Sequence, residues 1–66
     1  MAKYPHITVQ LIGTDGNIFA LGGKVGGALR RAGVPAEEIS AFYARLSATE
    51  SYDAALRFLA ETVEVQ

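Results

Sequence analysis

The residues of this chain with the chemistry to act on a substrate are few and scattered. His6 is the only histidine, and Asp15 with the hydroxyls of Ser40, Ser47 and Ser51 completes the types needed for a Ser-His-Asp constellation. A nucleophilic serine of that class sits in a sharp turn framed as G-x-S-x-G, and none of the three serines has such a frame. The stretch "GGKVGG", residues 22–27, raises a second possibility, because glycines around a lysine are the material of phosphate-cradling loops. A P-loop requires glycine, four residues, Gly-Lys and then Ser or Thr, since backbone amides hold the phosphates and the hydroxyl holds magnesium. Here Val25 follows Gly23-Lys24, and Ile18 stands where the leading glycine belongs. The dinucleotide pattern G-x-G-x-x-G fails as well, because Gly23 and Gly26 would need a glycine in place of Leu21. "GTDGN", residues 13–17, offers only Asp15 and Asn17 as oxygen donors, whereas a calcium loop takes several at alternate positions and a distant glutamate. With no cysteine, disulfides and thiolate metal sites are excluded, and no metal site or cofactor is expected. The chemistry-bearing residues therefore point away from an enzyme.

Charge leaves one binding chemistry to weigh. The net charge is −1, with no overall pull toward nucleic acid or anionic membrane, yet it is unevenly spread. Lys3, Lys24, Arg30 and Arg31 are opposed only by Asp15 in the first half, while Glu37, Glu38, Glu50, Asp53, Glu61 and Glu64 outnumber Arg45 and Arg57 in the second. "ALRRAGVPAEEISAFYARL" resembles a helix-turn-helix segment, with Gly33 at the turn and Ile39 in a core position. Glu37 and Glu38 of the recognition helix would then approach a polyanion, which disfavours base reading. A nucleic-acid role is the alternative, carried through phosphates by Lys24, Arg30 and Arg31.

The elements that would position these residues follow from periodicity. "ITVQLI", residues 7–12, places Ile7, Val9 and Leu11 on one face and reads as a half-buried strand. Gly13 and Gly16 turn the chain, and Asn17 is a candidate N-cap. From Ile18, apolar residues recur at Leu21, Val25, Leu29 and Ala32, so "GGKVGG" falls inside a helix that ends at Arg30, Arg31 and Gly33. Gly22 and Gly26 border the apolar stripe and suit close packing, whereas Gly23 and Gly27 lie toward the opposite side. A second helix starts at Pro35 and buries Ile39, Phe42, Tyr43 and Leu46; a third, capped by Ser51 or Thr49, aligns Tyr52, Ala55, Leu56, Leu59 and Val63. "TVEV", residues 62–65, switches to period two and predicts a short strand. The expected fold is a single small α+β domain over residues 1–66, in the order β-α-α-α-β, with a two-stranded sheet packed on three helices.

Half the residues are hydrophobic, enough for a core, but a domain of this size buries only about 60% of its unfolded surface, so association with another chain is a natural support. The free edges of the sheet could pair with a second copy. Neither a signal-peptide core nor a membrane-spanning run is visible, and a soluble, cytoplasmic protein is expected. Phe19 and Phe58 lie off the main apolar stripes of their helices, either packing under the sheet or standing as exposed anchors. With Val63 and Val65 of the last strand, they are the candidate partner-binding residues.

The segments "LIGTDGNIFALGGKV", "ALRRAGVPAEEI" and the tail from "SYDAAL" to "VEV" resemble a group of short uncharacterised bacterial and bacteriophage proteins. Asp15-Gly16-Asn17, Phe19, Gly23, Val25, Tyr52 and Asp53 match that group, and Gly22 departs from it, a large apolar residue being usual there. The resemblance implies the architecture and no site. The expectation is a small non-enzymatic protein-interaction module that self-associates, its process unknown.

Overall fold

The computed structural model describes residues 2–11, 13 and 16–66. Among these, the order is β1 (Tyr4–Val9), α1 (Ile18–Arg31), α2 (Ala36–Ser47), α3 (Tyr52–Thr62) and β2 (Val63–Val65), the β-α-α-α-β arrangement expected. The two strands pair in parallel, with Tyr4 opposite Val63, Thr8 opposite Glu64 and Val9 opposite Val65. An irregularity between Tyr4 and Thr8 absorbs the extra residues of β1. Beyond the strands, Leu11 N donates to Gln66 O at 2.6 Å and Lys3 N donates to Glu61 O at 2.7 Å.

β1 begins three residues earlier than periodicity places it, and the reason is Pro5. Proline lacks an N–H for a ladder and so reads as a strand breaker, but an edge strand in a two-stranded sheet has a free side that tolerates it. The expected strand end at Ile12 and the turn residue Asp15 lie outside the described residues. β2 starts at Val63 rather than Thr62, because Thr62 closes α3 with its hydroxyl donating to Phe58 O at 2.8 Å.

α1 forms where cap and stripe place it. Asn17 Oδ1 accepts from Phe19 N at 2.8 Å, and the C-terminus closes as Gly33 N donates to Arg30 O and Val34 N to Leu29 O. That pair of bonds needs a left-handed residue after the helix, and Gly33 supplies it at φ +86. Pro35 turns out to be the N-cap of α2 instead of its first helical residue, with ψ of 144. Ser51 Oγ accepts from Ala54 N at 3.0 Å and starts α3.

The most deeply buried side chains are Val25 and Leu29 of α1, Leu59 of α3 and Val63 of β2, so the core lies where α1 meets α3 and the sheet. α1 packs on α2, α3 and β1, and its glycines set how closely α2 approaches. A Cβ built at Gly22 would collide with Leu46 Cδ2, and one at Gly26 with the Tyr43 phenol. Since the higher-numbered glycine meets the lower-numbered partner, α1 and α2 run antiparallel as a helical hairpin. At Gly23 a Cβ would meet nothing within 4 Å, in keeping with the expected division between packed and open glycines.

Candidate functional site

Ile18 and Phe19 open α1, Tyr43, Leu46 and Ser47 close α2, and Tyr52 and Ala55 open α3; with the α2–α3 loop they enclose a groove of about 380 Å³. The Asn17 cap holds the backbone N–H of Phe19, and the side chain stands on the groove's lip with 81% of its surface exposed. Tyr52 is 49% exposed and Tyr43 39%, so three aromatic rings border one apolar depression whose floor includes buried Leu46 and Ala55. Tyr52 OH donates to Gly16 O at 2.6 Å, tying the start of α3 to the turn before α1 and fixing one wall. Two of the groove's hydroxyls serve the backbone: Thr49 Oγ1 donates to Leu46 O at 2.7 Å, and Ser51 Oγ is the cap of α3.

A second depression, of about 460 Å³, lies further along the α1–α2 hairpin and is lined by Arg30, Val34, Ala36, Ile39, Ser40 and Tyr43. Tyr43 borders both. The two depressions are thus halves of one seam between α1 and α2, divided by the Tyr43 ring lying against Gly26.

The structure separates the four expected partner-binding residues. Phe19 takes the exposed alternative and Phe58 the packed one: its ring stacks on Phe42 at 5.4 Å, with the Arg45 guanidinium 4.9 Å above it. Val63 must be corrected, because its side chain is fully buried as the first residue of β2 turns onto the helices. Val65 is partly exposed at the end of β2 and borders neither depression. Of the basic residues, Lys24 and Arg31 fall on one outer stripe of α1, seven residues apart, whereas Arg30 turns toward the seam, so the three do not form one patch. Ser47 and Ser51 line the groove, Ser40 lines the second depression, and His6 on β1 borders neither. Among the described residues, no group of three or more acidic or histidine side chains gathers as a metal site, and no helix is long and apolar enough to cross a membrane.

Tyr43 and Tyr52 are the site residues that periodicity assigns to the core. Both lie on the edges of their stripes, where an amphipathic ring can bury its body and wet its hydroxyl, and that combination was the available signal. At the opposite end of the molecule, Tyr4 OH donates to Glu38 Oε1 at 2.6 Å, with Lys3 Nζ 3.9 Å from the same oxygen. By accepting a hydrogen bond from the protonated phenol, the Glu38 carboxylate holds Tyr4 above the ordinary tyrosine pKa, with desolvation and charge repulsion acting in the same direction. No protein-family model, curated protein or solved structure matches the chain.

Proposed function

We propose that this chain is a small non-enzymatic protein-interaction module that docks an apolar partner surface in the groove between α1, α2 and α3 and acts in the cytoplasm. The observation that carries the reading is Phe19, a large apolar side chain almost wholly exposed on the lip of an aromatic-lined groove. Single exposed apolar residues are ordinary, but an exposed phenylalanine flanked by two half-exposed tyrosines around a concave apolar floor is the composition of a binding hot spot. The engagement of Thr49 and Ser51 in backbone bonds supports a binding role over a chemical one.

The test is selection of displayed random peptides on the immobilised protein, repeated with Phe19→Ala and Tyr52→Ala. Apolar or aromatic peptides that bind the wild type and lose about tenfold or more in affinity on either variant are expected, a typical hot-spot effect. Selection of no peptide, or of peptides indifferent to both substitutions, would overturn the groove as a docking surface.

A further inference from the structure

We infer that the partner is a second copy of this chain, docked antiparallel along the whole α1–α2 seam about a two-fold axis crossing it near Tyr43. The inference rests on the groove being a docking surface. On α1, Phe19, Gly23, Gly26 and Arg30 share one stripe; on α2, Ala36, Ser40, Tyr43 and Ser47 repeat the same spacing and face the same side. Between its ends the seam exposes Phe19, Gly23, Ala36, Ser40, Tyr43 and Ser47, none of them charged, in a chain with 20% charged residues. An uncharged centre bounded by charges is how interfaces are composed.

The bounding charges decide which partner fits. Glu50 stands at the groove end and Arg30 at the other, both exposed, and among the described residues neither side chain has an ion-pair partner. A surface acidic at one end and basic at the other complements its own copy when the two run antiparallel, setting Arg30 beside Glu50 of the partner twice. The same rotation carries Phe19 of each copy over the other's depression at Arg30, whose apolar lining is Val34, Ile39 and Tyr43. Such self-complementarity is what a two-fold contact requires. Size points the same way. The groove alone is too local for a stable dimer, which takes about 800 Å² from each partner, roughly a fifth of the 4330 Å² present here. The full seam, about 17 Å from Phe19 to Arg30 along α1, runs across most of one face of a molecule measuring 27 × 24 × 21 Å.

Sedimentation equilibrium of the full chain from micromolar to millimolar concentration tests this, on the wild type, Arg30→Glu, Glu50→Arg and the double swap. Circular dichroism confirms folding of each, and Ser40→Lys, an exposed change at the seam's centre, provides a second variant should a reversal unfold. A wild-type dimer is expected, weakened about tenfold or more by either reversal and by Ser40→Lys, and restored by the swap. A dimer indifferent to these changes would overturn the geometry. A monomer throughout would overturn the second copy as occupant; if the groove still selects peptides, the docking function stands with another partner, and if it does not, both fall.

Discussion

A methyl group added at three glycines of α1 would meet three different fates. At Gly23 it would enter open space, so Gly23→Ala should stabilise the fold by up to about 1 kcal/mol through helix propensity and lost unfolded-state freedom. At Gly26 it would strike the Tyr43 phenol, and at Gly22 Leu46 Cδ2. Overpacking costs about 1–3 kcal/mol and exceeds the propensity gain, so both changes should destabilise. The Tyr43 ring is 39% exposed and can swing outward, whereas Leu46 at 8% is held by the core. Urea midpoints should therefore rank Gly23→Ala above wild type, then Gly26→Ala, then Gly22→Ala. An unchanged or raised midpoint for Gly22→Ala would refute the close approach of α2.

Between elements, the bond from Tyr4 of β1 to Glu38 of α2 makes a pH-dependent tie. The Tyr4 phenol has a folded pKa raised above its unfolded value, so its contribution is whole below the unfolded value and lost as pH rises through the folded one. Tyr4→Phe should be less stable than wild type at neutral pH, with the gap in urea midpoint closing in alkali; a gap that persists or widens would sink this account. Much of the element order was legible. α1 carries an asparagine at its start and cationic residues before a glycine at its end, and those local signals outvoted glycines worth roughly 1 kcal/mol each against a helix. The start of β1 was not legible, since Pro5 is acceptable only because, among the described residues, no strand lies outside it, a fact of topology. For the same reason Phe58 could not be told from Phe19: its burial depends on Phe42 and Arg45, supplied by another helix. Val63 shows the limit of period two, which puts Val63 and Val65 on one face but does not say that the helices cover the first and leave the second partly exposed.

For the molecule as a whole, β2 is three residues long yet contributes one of the four most buried side chains. Truncation after Thr62 removes Val63 and, among the described residues, the only strand paired with β1. Helical circular dichroism should survive in part while the cooperative unfolding transition disappears and apolar dye binding rises; a sharp transition retained by the truncated chain would show that the sheet is dispensable. The pairing of first strand with last also governs the order of events in time. Helices can form from local contacts as each segment becomes available, but β1 has no partner until residues beyond Thr62 exist. During synthesis the first strand therefore waits, unpaired, until the three helices and β2 have been made. Assembly of the native core is deferred until β2 has emerged, and a nascent chain stalled before Val63 would present an open strand to chaperones rather than a finished domain.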